Sequence, residues 1–138
     1  MKASVNSIFY LVDDSLIDLK INERLLLQAG LASSVHRFIT AESALDFFCT
    51  HPPPVPFGVI LLDINMPGMN GFDLLDAMSQ LPATIRSAYR IVMLSSTIDS
   101  EDLLRVNRHS EVAMLLSKPL NTTGLDKQLQ QWQQDLPK

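Results

Sequence analysis

The sequence predicts an α/β protein in which a five-stranded parallel sheet is covered by helices on both faces. Two observations predict it. Apolar runs of strand length alternate with longer segments of helical spacing, five of each, along nearly the whole chain; that alternation implies parallel strands joined by helical crossovers. The 138 residues contain no internal repeat and no linker long enough to separate two domains, and at 46% hydrophobic and 19% charged they suit one globular unit with a sizeable core.

The elements follow in order. Residues 8–12 form the first strand. A helix over 16–29 places Ile17, Ile21 and Leu25 on one face, with Gly30 as its stop signal. Residues 35–39 are a weaker strand. A short helix over 41–50 ends before Pro52-Pro53-Pro54. Residues 57–62 are a strongly apolar strand. A helix spans 70–80, with Asn70 and Asp73 at the spacing of a capping box and Asp in place of the usual Glu. A strand at 91–94, a helix at 99–108 and a strand at 112–116 lead to a last helix at 122–134. Leu125, Leu129 and Trp132 share one face of that helix, while its five glutamines form a solvated face.

Composition narrows the function classes. The net charge is −4 and there is no run of Lys or Arg, which argues against nucleic-acid binding. No apolar stretch approaches the roughly 20 residues that span a bilayer, and the N-terminus lacks a signal-peptide pattern. Cys49 is the sole cysteine, so no intramolecular disulfide forms; within its apolar segment it reads as a small packed hydrophobe. The setting implied is cytoplasmic. His36, His51 and His109 have no metal-ligand spacing and read as surface or cap residues.

Ligands of open α/β sheets bind outside the carboxyl ends of the strands. The polar residues directly after each apolar run are therefore the candidates: Asp13 and Asp14 after the first strand, Asp63 after the third, Ser95 and Ser96 after the fourth, Lys118 after the fifth. An Asp after a strand is by itself often a turn or cap residue. Four of five strands delivering such groups to one edge is a stronger signal.

Such a cluster has definite chemistry. Two carboxylates about 4 Å apart repel by on the order of 4 kcal/mol at an effective dielectric near 20, so a proton or a cation must join them. Hard oxygens with room for water suit Mg²⁺, which retains waters and takes phosphate oxygens as ligands. A lysine adds positive charge, and a serine hydroxyl can donate to a phosphoryl oxygen. Phosphoryl transfer requires positioning and charge neutralisation, and a carboxylate can itself carry the phosphoryl group. Asp63 follows the most apolar strand and is the candidate acceptor. The adjacent Asp13 and Asp14 diverge and are better suited to holding a cation.

The runs Leu11-Val12-Asp13-Asp14, then Leu61 to Gly71 (LLDINMPGMNG), then Met93-Leu94-Ser95-Ser96, then Ser117-Lys118-Pro119-Leu120 resemble the receiver domain of two-component response regulators, of the single-domain, chemotaxis-regulator-like kind. The resemblance covers about residues 8–132. It implies a flavodoxin-like doubly wound sheet of order 2-1-3-4-5 with five helices, residues 1–138 forming a single receiver domain without a separate output domain. By the same resemblance, Asp63 would be the phosphoacceptor, Asp14 would bind Mg²⁺ directly and Asp13 largely through water, and Asn65 would offer its backbone carbonyl. Ser95 would hydrogen-bond the phosphoryl group, Lys118 would pair with it, and the peptide before Pro119 would be cis. Asn65 and Thr97 would tune the phosphoryl lifetime.

The family usually has Tyr or Phe three residues before the lysine, as a switch that moves with Ser95; here that position is Leu115. The usual Gly-Ala near the fifth strand is Glu111-Val112. The resemblance also implies partners. A sensor histidine kinase or a histidine-phosphotransfer protein would donate the phosphoryl group. A downstream protein would read the face made by the helix at 99–108, the fifth strand and the last helix. The chain would be no enzyme in the ordinary sense, but a phosphoacceptor that catalyses its own phosphotransfer and dephosphorylation. The alternatives are a pseudo-receiver acting as a phosphorylation-independent interaction module and, further off, a haloacid-dehalogenase-like phosphatase. The phosphatase would need a second Asp two residues after Asp63, where this chain has Asn65.

Overall fold

A computed structural model describes residues 7–54, 56–97 and 99–136. The elements run β1 (Ser7–Val12), α1 (Leu16–Gln28), β2 (Ala32–Phe38), α2 (Ala41–Thr50), β3 (Gly58–Asp63), α3 (Gly71–Met78), α4 (Ala83–Arg86), β4 (Tyr89–Ser95), α5 (Ser100–Asn107), β5 (Val112–Ser117) and α6 (Thr122–Gln134). The strands form one parallel sheet in the order β2-β1-β3-β4-β5.

All six residues of β3 are buried, because the strand has neighbours on both edges and helices over both faces. Its Gly-Val-Ile-Leu-Leu run answers that demand. Alternate strand residues divide the core into two layers. Phe9, Leu11, Val59, Leu61, Val92 and Leu94 pack against Leu19 and Leu26 of α1 and Leu125, Leu129 and Trp132 of α6. Tyr10, Val12, Ile60, Leu62, Ile91 and Met93 pack against Ala44 and Phe48 of α2 and Phe72, Leu74 and Leu75 of α3. Each fully buried Leu, Ile or Phe contributes about 1.5–3 kcal/mol.

The longer helices start with side-chain caps close behind the strand ends. Ser15, Thr40, Asn70, Asp99 and Asn121 each accept a backbone N–H of the first turn. At α3 the box is reciprocal: Asn70 Oδ1 accepts from Asp73 N at 2.9 Å and Asp73 Oδ2 from Asn70 N at 3.0 Å. Helix N-termini therefore crowd the carboxyl edge of the sheet.

Four sequence expectations are corrected. There are six helices among the described residues rather than five. The additional one-turn α4 follows its N-cap Pro82, whose carbonyl accepts from the N–H groups of Ile85 and Arg86. In α1 the buried side chains are Leu19, Asn22 and Leu26, whereas Ile17 is 71% and Ile21 46% exposed. Both sets have helical spacing, and the way the helix lies on the sheet chose between them. Cys49 is exposed, because Ala41, Ala44 and Phe48 define the inward face of α2. β2 also begins earlier than expected, at Ala32, since backbone pairing with β1 carries the polar Ser33 and Ser34 into this edge strand.

Candidate functional site

The β1–β3 register ends with Val12 beside Leu62. One residue further along both strands, Asp13 and Asp63 stand side by side on the same face. Each continues the alternation of Phe9 and Leu11, or of Val59 and Leu61, that builds the α1/α6 core layer. Asp13 is 3% and Asp63 6% exposed, while Asp14 next to them is in solvent. One carboxylate oxygen from each of the three lies within 4.8 Å of the others.

Lys118 enters from the end of β5. Its Nζ donates to Asp13 Oδ2 and to Asp18 Oδ2, both at 2.8 Å, and stands 3.5 Å from Asp63 Oδ1. The Lys118–Pro119 peptide is cis. Asp13 has its other oxygen on the N–H of Ser15 at 2.9 Å. It is thus the most fully engaged of the three carboxylates.

Burial, then the charge of Asp13, and to a smaller degree that of Asp14, push the Asp63 carboxyl up to about 6 against the pull of Lys118. At neutral pH Asp63 is still ionised, and more basic than an ordinary carboxylate. Burial opposes the charge on Lys118, but hydrogen bonds to Asp13 and Asp18 and the charges of Asp13 and Asp63 outweigh it and raise its pKa. The site holds a permanent cation amid excess carboxylate. Its donor set of hard oxygens fits a small divalent cation.

The backbone around Asp63 is closely supported. Gly71, first residue of α3, donates its N–H to the carbonyl of Ile64 at 3.0 Å. A β-carbon at Gly71 would stand 2.6 Å from the Asp63 carbonyl oxygen and 3.1 Å from Ile64 Cα. Only glycine lets α3 come this close. Gly68, with φ +72°, turns the intervening loop.

The other predicted residues stand at this edge with less contact to the acids. Ser95 is fully buried one residue beyond the Asp63–Leu94 pair, and its hydroxyl donates to the carbonyl of Thr97. Asn65 and Thr97 are exposed on the loops after β3 and β4. Leu115 lies beside Met93 on β5, half-buried against the α2/α3 core layer. Asp18 escaped the sequence reading. Its position in the first turn of α1 looked like ordinary helix-terminus chemistry, since acids are favoured there, and nothing local points to a lysine 100 residues away.

The face around β5 is only partly buried. α5 has no fully buried residue, and Leu103 and Leu104 are exposed. Two polar contacts join α5 and the turn after it to α3: the Arg105 guanidinium sits 4.0 Å over the Phe72 ring, and His109, just beyond α5, has its Nε2 3.1 Å from Asp76 Oδ1. Among the described residues no helix is long and apolar enough to cross a membrane.

The parallel 2-1-3-4-5 sheet thus carries three acids and a lysine at its carboxyl edge, and comparison with known proteins identifies the family that shares this fold. Residues 9–130 match the family model described as the response regulator receiver domain. The chain belongs to that family. A response regulator receiver protein from Dyadobacter fermentans is 37% identical in its solved structure, covers 91% of this chain and 97% of its own, and superposes with a TM-score of 0.85. Chemotaxis protein CheY4 of Vibrio cholerae is 27% identical over 91% of this chain and 98% of its own, with a TM-score of 0.71. A curated relative, stress response regulator protein 1 of Meyerozyma guilliermondii, is 28% identical over 113 residues, 82% of this chain. The chain spans about half the length of that relative, 49% of it.

Proposed function

We propose that this protein is a response regulator that takes a phosphoryl group onto Asp63 from a histidine kinase or histidine-phosphotransfer protein and signals through a protein partner in the cytoplasm. The observation that carries the reading is the placement of Asp63 beside Asp13 and Asp14, with the ammonium of Lys118 3.5 Å away.

The chemistry follows from the residues. Asp63 is the nucleophile because it is buried, basic for a carboxylate, and less engaged than Asp13. One of its oxygens forms the new O–P bond while the donor's P–N bond breaks and the electron pair returns to the imidazole. Lys118 lies close enough to meet a phosphoryl oxygen. Ser95 can do so once its hydroxyl leaves the Thr97 carbonyl. Asp13, Asp14, Asp63 and the Asn65 carbonyl would hold Mg²⁺, whose contribution is to neutralise charge on the phosphoryl oxygens. Later attack of water returns free Asp63 and inorganic phosphate, and the side chains of Asn65 and Thr97, exposed at the rim, are suited to setting how fast this happens.

Two exposed apolar surfaces support the partner assignments. Leu16 and Ile17 project from the first turn of α1, directly after the acid pair, and Ile21 continues the stripe; a protein donor reaching Asp63 would meet it. Leu103 and Leu104 on α5, with half-buried Met114 and Leu115 on β5, form the second, suited to a downstream partner. A phosphoryl group adds a charge of roughly −1.5 to −2. Drawing Ser95 and Lys118 toward that charge would strain the β4–α5 loop and β5, and so bias this second face.

Treatment with acetyl phosphate and Mg²⁺ should add one phosphoryl group, ~80 Da, to the intact mass, and Asp63→Asn should abolish it. No adduct would leave a phosphorylation-independent interaction module as the reading. An adduct surviving Asp63→Asn would move the acceptor elsewhere.

A further inference from the structure

We propose that Asp18 is a positioning residue that holds the Lys118 ammonium away from Asp63 in the unphosphorylated protein and yields it when a phosphoryl group arrives. The inference rests on the reading of Asp63 as the acceptor and adds a residue to that site.

The geometry is unequal among the acids around the ammonium. Nζ lies 2.8 Å from Asp18 and 2.8 Å from Asp13, but 3.5 Å from Asp63. The two short distances are those of charge-assisted hydrogen bonds; the long one is at the outer limit of contact. Asp18 is fixed in place by the helix that carries it: its own N–H donates to the Ser15 cap at 3.2 Å, and Ser15 N–H donates to Asp13. Asp13, Ser15 and Asp18 thus form one local frame that grips the lysine from the β1–α1 side, while Asp63 comes from β3.

The partners differ in what they lose when the lysine leaves. Asp13 and Asp63 have side chains only 4% and 7% exposed, whereas that of Asp18 is 36% exposed. A released Asp18 carboxylate is resolvated by water at little cost, which is what a temporary holder requires. A phosphoryl group on Asp63 offers more negative charge than Asp18, in a drier place, and draws the ammonium across. The transfer frees the first turn of α1 from the end of β5. Asp18 therefore competes with the phosphoryl group for Lys118, and removing it strengthens binding of any phosphoryl mimic.

The test is equilibrium binding of beryllofluoride, a phosphoryl mimic, at saturating Mg²⁺, read by calorimetry and by the ¹⁹F resonances of the bound species. Asp18→Asn should bind beryllofluoride about fivefold more tightly than wild type, the scale of one partly exposed ion pair. In a Lys118→Gln background the same substitution should change nothing, because Asp18 acts only through the lysine. An unchanged affinity, or the same tightening without Lys118, would overturn the proposal; the latter would reduce Asp18 to a distant charge. Wild type that fails to bind beryllofluoride would instead defeat the phosphoacceptor reading, and this inference with it.

Discussion

Replacing Asp63 by Asn in metal-free protein should reveal the energy stored at the site. Asp63 is raised from 3.8 to about 6 by burial and by the neighbouring acids. A carboxyl with a higher pKa in the folded state binds its proton more tightly there than in the unfolded chain. Its contribution therefore favours the folded state below about pH 4 and is lost as pH rises through about 6. That rise corresponds to about 3 kcal/mol, and with a side chain 7% exposed little of this is screened by solvent. In EDTA, Asp63→Asn should match wild type near pH 4 and exceed it by about 3 kcal/mol at pH 7.5, roughly 8–12 °C in Tm for a chain of this size. Urea unfolding at several pH values measures the difference, and Mg²⁺ should narrow it by stabilising the wild type preferentially. A difference that stays flat from pH 4 to 7.5 would refute the account of Asp63 as a strained, ionised acid.

Other perturbations have equally definite outcomes. Gly71→Ala drives a methyl against the Asp63 carbonyl and Ile64 Cα; it should cost about 2 kcal/mol in urea unfolding and slow acetyl-phosphate labelling of Asp63. Ile17→Ser, at a 71% exposed position, should alter stability by less than about 0.5 kcal/mol; it should leave acetyl-phosphate labelling intact and weaken transfer from a protein donor. His109 faces two acceptors, the Arg105 carbonyl and Asp76, with Glu111 nearby. Burial lowers its pKa, but those groups outweigh burial and raise it. The stabilisation from the raised pKa is complete below pH 6.5 and fades above it. His109→Gln should thus lose up to about 1 kcal/mol at pH 6, Asp76 being largely exposed, and less at pH 8.5.

Much of this site could be read along the chain because its parts are local. Asp13, Asp63 and Lys118 each end an apolar run, and Asn70 with Asp73 forms a helix start within four residues. Periodicity also found Leu125, Leu129 and Trp132, since α6 has a single apolar stripe. It failed for α1, which has two. The stripe of Ile17 and Ile21 is exposed, and the inward one includes a polar Asn22 that no hydrophobic count would choose. It failed for Cys49 too, where an apolar neighbourhood in sequence is a different face of the helix.

The sequence by itself determined the alternation of strands and helices, and thereby which residues stand at the carboxyl edge, because strand ends and caps are set by neighbours a few residues apart. Only the tertiary structure decided how those residues share their charges. The pairing of Lys118 with Asp18 rather than closely with Asp63, the burial that makes Asp63 basic, and the turning of the Ser95 hydroxyl toward Thr97 depend on distances of a few ångströms between separate elements. Coulomb energies and desolvation vary steeply over such distances, and no local pattern encodes them.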